Sequence, residues 1–387
     1  MYKYLFVLGR KSELSIQEIK SVFKGSNILE QNSNYLLLES ENEIDTKLKM
    51  QRLGGTIKIG KVVKQVSEKE IISEITNFLI EQYPEQNKIK FGINVLNFPI
   101  RNLNTYLIGV KKALKKEGKS GRFINKNLKN TALPAVIGEG FLRGKGSEII
   151  LAKAKKGYLI AETQAAQDID KYSLRDYKKP FRDARMGMLP PKLAQILISL
   201  AELDEGQTLW DPFCGSGTVL MEGLLQNLNV IGSDLKKENV EGTNQNLWWT
   251  SKEFDLPQNY KTFVHDVTEP FDDKIEVDAV VCEGYLGKPK KFLPPQKVLE
   301  KEIVFLESLY EKLFINLKTI LKPGNSVVIC LPCFKNKENY IFLENILEKI
   351  KDLGYSLVDL NKSRRKSLIY DRKDQIVGRE ILKFVKD

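Results

Sequence analysis

The chain has 387 residues, 42% of them hydrophobic, with a net charge of +11 and a single histidine, His265. That length accommodates two or three domains with sizeable cores, and the composition excludes wholesale disorder. No apolar run approaches the roughly 18 residues needed to span a bilayer, and one histidine excludes His-rich metal sites and argues against a Ser-His-Asp hydrolase.

The segment MYKYLFVLGRKSELS carries charges where a secretory leader would be apolar, so no signal peptide is expected. Residues 1–60 read as a small α/β unit. YKYLFVLG is a strand, LSIQEIKSVF a helix capped near Leu14-Ser15, and NYLLLES a second strand. A second α/β unit spans 61–163. It has a basic strand TIKIGKVVKQV, helix EKEIISEITNFLIEQY, strand KIKFGINVL, helix NTYLIGVKKALKKEG, and strands near AVIGEG, SEIILAKA and GYLIAET. From Glu85 to Ile160 there are 16 Lys/Arg against 4 Asp/Glu, a net +12. The bases include Lys111, Lys112, Lys115, Lys116, Lys119, Arg122, Lys126, Lys129, Arg143 and Lys145. A solvated face is the plain alternative, but their concentration in one segment favours a phosphate-binding surface.

Residues 164–190 lack periodicity and read as a linker packed on its neighbours. Its Arg175, Arg182 and Arg185 either face a ligand or RNA or pair with Asp176 and Asp183; the sequence leaves both open. From 191 to 387 helices and strands alternate. The order is helix KLAQILISLAEL, strand TLWDPF, helix TVLMEGLLQN, strand NVIGSDL, helix KENVEGTNQNLWW, then strands KTFVHDV and VDAVVCEGYLG. Helix KEIVFLESLYEKLFINLKTIL, strand NSVVICLPCF, helix NYIFLENILEKIKDLG, strand SLVDLN and a closing pair, SLIYD and REILKFVK, follow. The pattern predicts a doubly wound, mostly parallel sheet with an antiparallel edge hairpin.

Ligands of such sheets bind at the carboxyl ends of the strands. The first strand of 191–387 runs into Asp211-Pro212-Phe213-Cys214-Gly215-Ser216-Gly217-Thr218. Gly215 and Gly217 let the backbone approach a ligand, and Ser216 or Thr218 can cap the next helix. No Gly-Lys-Ser/Thr follows, so this is not a P-loop. A dinucleotide turn avoids an acid at the strand end, where a pyrophosphate would be repelled. Asp211 instead favours a ligand carrying an ammonium and no phosphate, which fits S-adenosylmethionine. Asp234, 23 residues on, ends the next strand where ribose hydroxyls would lie. Asp266 closes the third, within reach of an adenine amino group. An ordinary strand-end turn residue is the alternative for any one of these.

DPFCGSGTVLMEG resembles the first motif of class I amino-methyltransferases. GMLPPKLAQILISLA, LGRKSELSIQEI and SLIYDRKDQIVGREI are similar to archaeal-type tRNA guanine-10 N2-methyltransferases of the THUMP-domain family. The resemblance covers nearly the whole chain, is strong over 186–235 and weak over 60–160. It implies an N-terminal ferredoxin-like unit (1–60), a THUMP-like RNA-binding unit (61–163), a linker (164–190) and a Rossmann-like class I methyltransferase domain (191–387). By position Asp211, Phe213, Gly215, Gly217, Thr218, Asp234 and Asp266 match the donor-binding residues. The implied activity is methylation of a guanosine exocyclic amine in tRNA, in the cytoplasm, by a monomer needing neither metal nor membrane.

An exocyclic base amine is a weak nucleophile, and a positioned acceptor for its N–H raises its electron density and takes the proton. The family supplies this from an Asp/Asn-Pro-Pro-Tyr turn. Here the turn reads Glu283-Gly284-Tyr285-Leu286-Gly287. Three readings stay open: Glu283 accepts the proton while Tyr285 stacks on the base; the target amine or base differs; or the domain binds donor and RNA without catalysis. DNA amino-methylation is the alternative enzyme class, opposed by the long basic N-terminal half and the lack of a DNA-reading motif. Lys288, Lys290 and Lys291, just after the turn, are placed to hold substrate backbone, or form a solvated loop. Four scattered cysteines, Cys214, Cys282, Cys330 and Cys333, predict a reducing compartment. Cys282 precedes the acid on an apolar strand and reads as a buried, inert thiol, and Cys330-Leu-Pro-Cys333 does not make a zinc site. His265 either touches the adenine edge or faces solvent. Of Trp248 and Trp249, one is expected in the core and the other exposed.

Overall fold

The computed structural model describes residues 1–127, 129–182, 188–271, 275–361, 365–372 and 375–387. They divide into two compact units, Met1–Ile16 with Phe23–Ile169, and Gln17–Val22 with Asp170–Asp387.

The elements up to residue 169 are β1 (Tyr2–Leu8), α1 (Ser12–Val22), β2 (Asn27–Gln31), β3 (Tyr35–Ser40), α2 (Thr46–Met50), β4 (Thr56–Val66), α3 (Ile71–Gln82) and β5 (Lys88–Leu96), then α4 (Leu103–Lys116), β6 (Ser120–Phe123), α5 (Leu133–Gly138), β7 (Ser147–Lys153) and β8 (Tyr158–Ala166). The eight strands form one sheet in the order β2-β3-β1-β4-β8-β7-β5-β6. Residue 60 falls inside β4, which pairs antiparallel with β1 on one side and β8 on the other, so the sheet is continuous there. In α4, Leu103, Leu107, Val110 and Leu114 recur at helical spacing and are fully buried. They pack with α3 residues Ile71, Ile75 and Leu79 and with Ile89, Phe91 and Ile93 of β5. Each such side chain stabilises by about 1.5–3 kcal/mol, and the same periodicity leaves Lys111, Lys112, Lys115 and Lys116 on the outer face.

Sequence reasoning erred locally in this unit. AVIGEG is not a strand: its residues largely form α5, with Pro134 in the first turn and Gly140 left-handed just past the end (φ 74°). Ser15 does not cap α1. The helix begins at Ser12, and the Ser15 hydroxyl donates to Gly55 O at 2.7 Å.

The second unit contains α6 (Ile169–Tyr177, from Asp170), α7 (Pro191–Ala201), β9 (Thr208–Asp211), α8 (Thr218–Leu224), β10 (Asn229–Asp234), α9 (Lys237–Glu253), β11 (Tyr260–Val264) and β12 (Ala279–Glu283), then α10 (Gln296–Leu317), β13 (Ser326–Asn336), β14 (Asn339–Ile341), α11 (Ile346–Asp352), β15 (Tyr355–Leu357), β16 (Leu368–Tyr370) and β17 (Val377–Lys386). Its sheet runs β11-β10-β9-β12-β13-β17-β15, parallel from β11 to β13. β17 is antiparallel to both β13 and β15, so the closing strand sits one in from the edge, with β16 paired to it. The fold is the expected methyltransferase-like α/β arrangement. Trp210, Val280, Cys282, Tyr310, Phe314, Val327, Ile329, Leu382 and Phe384 pack in one core cluster. The stretch 339–354, expected as one helix, splits into β14 and α11 because Tyr340 and Ile341 continue a hairpin with β13.

Candidate functional site

β9 is the middle of the five parallel strands, flanked by β10 and β12. Their carboxyl ends are Asp211, Asp234 and Glu283, so three acids from distant parts of the chain come to one edge of the sheet. Asp211 is 2% exposed and its Oδ1 accepts from Phe213 N at 3.0 Å. Burial pushes its carboxyl well up, with Asp234 and Glu283 adding to the rise. An acid so enclosed gains most from a cationic partner.

The Gly-rich turn is built from both sides. Asp234 accepts from Gly215 N at 3.0 Å through Oδ2, and from Lys236 N and Asn239 Nδ2 at 2.9 and 3.0 Å through Oδ1. The α9 side chains Thr243 and Asn246 donate to Gly215 O and Ser216 O at 2.9 and 2.8 Å. Gly215 and Gly217 are left-handed (φ 51° and 76°). A Cβ on Gly217 would lie 2.9 Å from Thr243 Cγ2, whereas one on Gly215 would meet only Phe213 O at 3.8 Å. The turn is therefore closed toward α9 and open at Gly215, as a backbone that cradles a ligand must be. Neither Ser216 nor Thr218 caps α8; Gly217 is the N-cap, without a side-chain bond. Both hydroxyls instead accept from the Lys179 ammonium, at 3.2 and 2.9 Å.

Asp266 lies two residues beyond β11. Its Oδ1 accepts from Thr268 N at 2.9 Å and the Thr268 hydroxyl at 2.8 Å, which hold the carboxyl below its ordinary value and keep it charged. His265 packs on Phe271, ring centroids 4.5 Å apart.

On the opposite flank Glu283 pairs with Arg379 of β17, 4% exposed, whose guanidinium also lies 5.8 Å over the Tyr370 ring. Burial pushes the Glu283 carboxyl up and Arg379 pulls it back. The departure at Gly284 has a cause in packing. A Cβ there would sit 2.5 Å from the Tyr310 hydroxyl and 3.0 Å from Cys330 O. The Tyr310 hydroxyl donates to Tyr285 O at 2.7 Å, and Gly284 N donates to Cys330 O at 3.1 Å, so the turn is pinned by α10 and β13. Tyr285 is 37% exposed, with room for its ring to meet a ligand. Gly287 is left-handed (φ 84°).

Lys288 and Lys291 are exposed, whereas Lys290 donates to Glu302 at 2.5 Å and to Lys288 O at 3.0 Å. In the first unit Arg122, Arg143 and Lys145 are exposed, as are the four lysines of α4; Lys111 lies 6.0 Å over the Phe123 ring. Arg175 does not face solvent. It is buried, with Nε donating to Glu222 at 2.6 Å. Arg182 lies 5.5 Å over the Tyr177 ring, and Arg185 and Asp183 fall outside the described residues. All four cysteines are buried and free, and burial raises the Cys282 thiol well up. Trp248 is exposed, Trp249 half-buried against Phe254, and the fully buried tryptophan is Trp210. Among the described residues no group of three or more His, Cys, Asp or Glu gathers as a metal site, and no helix is long and apolar enough to cross a membrane.

Sequence reasoning missed Lys179, Tyr310 and Arg379.

A family model described as UPF0020, RMKL-like, methyltransferase domain matches residues 175–284, from Arg175 through the Gly-rich turn to Gly284. The tRNA (guanine(10)-N2)-dimethyltransferase of Methanothermobacter thermautotrophicus is 28% identical over 176 residues, 45% of each chain. The likeness to tRNA guanine methyltransferases expected from the motifs is thus found again, although the chain spans less than half the length of the curated relatives it matches. The crystal structure of TrmN from Thermus thermophilus superposes with a TM-score of 0.54 at 14% identity, covering 100% of both chains. The structure of the methyltransferase SMU.472, complexed with SAH, gives 0.50 at 13%, covering 100% of this chain and 98% of that one. At such identities the two structures show a shared fold.

Proposed function

We propose that this chain, whose residues 175–284 fall in the RMKL-like methyltransferase domain family, is an S-adenosylmethionine-dependent tRNA methyltransferase acting on the exocyclic amine of a guanosine, at position 10 of tRNA. The observation that carries the reading is the convergence of Asp211, Asp234 and Glu283 on the carboxyl ends of three adjacent parallel strands around an open glycine turn. The guanine-10 relative and the SAH complex of the structural neighbour support the choice of substrate and donor.

S-adenosylmethionine supplies a methyl group made electrophilic by its sulfonium. The buried Asp211 carboxylate receives the donor's ammonium, and Asp234, already fixed by Gly215 and Asn239, offers lone pairs to the ribose hydroxyls. Asp266, fixed by Thr268, takes the adenine amino group. Phe213, Gly215, Gly217 and Thr218 shape the turn around it. On the acceptor side the target guanosine leaves its stack to enter the site. Glu283, oriented by Arg379, accepts the amine N–H and Tyr285 stacks on the base. As the amine takes the methyl group and the donor leaves as S-adenosylhomocysteine, Glu283 would accept the amine proton and release it to water. Burial, which raises Glu283, suits it to that brief protonation. The chain's part is to align two reactants in a drier site.

The first unit serves as the ferredoxin-like and THUMP-like RNA-docking half. Lys111, Lys112, Lys115, Lys116, Arg122, Arg143 and Lys145 meet tRNA phosphates there, and Lys288 and Lys291 grip the backbone beside the acceptor turn. The test is transfer from labelled donor to tRNA and to duplex DNA, followed by nucleoside mass analysis. Label in tRNA as N2-methylguanosine is expected. Label in DNA, or donor binding without transfer to tRNA, overturns the reading.

A further inference from the structure

Among the described residues, the buried cations of the second unit meet carboxylates. Arg175 pairs with Glu222, Arg379 with Glu283 and Lys383 with Glu202. Lys179 is the exception. It is 3% exposed, and its ammonium reaches the Thr218 hydroxyl at 2.9 Å and the Ser216 hydroxyl at 3.2 Å; no carboxylate among the described residues bonds it. An enclosed ammonium whose hydrogen bonds go only to hydroxyls is an unfavourable arrangement unless an anion completes it.

We propose that Lys179, with the Ser216 and Thr218 hydroxyls, forms the subsite that recognises the donor's α-carboxylate. This rests on the donor-site reading above. Each hydroxyl accepts from the ammonium and keeps its own hydrogen to donate, polarised by the charge behind it. The turn then meets a zwitterion with the matching pair. Asp211 at its start takes the ammonium, and the Lys179–Ser216–Thr218 group at its end takes the carboxylate. Burial brings Lys179 down to about 8, with Asp176 and Glu222 holding it up, so it is largely protonated at neutral pH, and an arriving carboxylate favours the charged form further. A nucleoside lacking the amino-acid arm would gain nothing from either charge.

Calorimetry on the full chain separates this role from simple bracing of the turn. Three ligands are compared: S-adenosylhomocysteine, its desamino analogue, which keeps the carboxylate, and 5′-methylthioadenosine, which has neither charge. Lys179→Met is expected to weaken the first two about tenfold or more, roughly 1.4 kcal/mol per tenfold, and to leave 5′-methylthioadenosine within about twofold, as expected when a charge-assisted hydrogen bond alone is removed. Lys179→Arg keeps part of the preference. The melting temperature of Lys179→Met stays level or rises, because a buried charge without a carboxylate is gone. Equal weakening of all three ligands, or of none, overturns the proposal. Should Lys179→Met fail to fold, the unaltered protein serves. Its preference for the desamino analogue over 5′-methylthioadenosine falls as pH rises from 7 to 9.5, and a flat ratio overturns the proposal. An unaltered protein that ignores all three ligands overturns the donor-site reading itself.

Discussion

Arg379→Met removes the guanidinium that Glu283 faces and leaves a carboxylate enclosed near a second one, Asp211. Deleting one partner of a buried pair costs roughly 3–5 kcal/mol. Glu283 keeps 19% of its side chain exposed, which puts the expected loss at the lower end, about 3 kcal/mol at pH 8. The carboxyl sets how that loss varies with pH. Burial already raises it, and without Arg379 it rises further. Such a group contributes its stability in full below the unfolded-state value, about 4.3, and loses it as pH climbs through the folded-state value. The deficit of the variant therefore shrinks on going from pH 8 to pH 5, by up to about 1.4 kcal/mol per pH unit. Urea unfolding of the unaltered protein, Arg379→Met, Glu283→Gln and the double variant at three pH values reads it directly. The double variant is expected to be more stable than Glu283→Gln, in which the buried guanidinium has lost its carboxylate. A deficit that is constant with pH and undiminished in the Glu283→Gln background would refute electrostatic positioning of the acceptor acid.

Gly284→Ala forces a Cβ against the Tyr310 hydroxyl and is expected to lower stability by about 1–3 kcal/mol; an unchanged urea midpoint refutes the packing account of that glycine. Cys282→Ala should retain methyl transfer within about twofold, because a deeply buried thiol is no nucleophile; a loss above about tenfold would point to thiolate attack. Replacing Lys111, Lys112, Lys115 and Lys116 by alanine should lower the slope of log affinity for tRNA against log salt by about 0.7–0.9 for each phosphate no longer neutralised. Filter binding between about 50 and 200 mM salt measures it, and an unaltered slope removes α4 from the tRNA-binding surface.

The second unit was legible because a parallel sheet advertises itself. Its strands carry Val, Ile and Leu runs such as VIGSD and AVVCE, each ending in an acid, and the glycine turn stands where the chain must fold back. The departure at Glu283-Gly284 was visible as a departure, but its cause was not. Tyr310 lies 25 residues away from Tyr285 on another element, and its hydroxyl occupies the space a proline ring would need. Lys179 and Arg379 stayed hidden for the same reason: their partners lie 37 and 96 positions distant, and nothing local in a strand or loop marks a cation as buried. AVIGEG was misread because a short apolar run has no period long enough to separate helix from strand, and Pro134 and Gly140 decided it.

The pairing of β17 with β13 has a bearing on how the protein is born. Glu283 is synthesised 96 residues before Arg379, so a nascent chain leaving the ribosome can complete Asp211, the glycine turn and Asp234 well ahead of the Glu283–Arg379 pair. Until the β17 stretch emerges and threads between β13 and β15, Glu283 has no guanidinium to orient it. Under the function proposed above, the donor side of the site would thus form before Glu283 is oriented, and the emergence of the closing strand would complete the acceptor side.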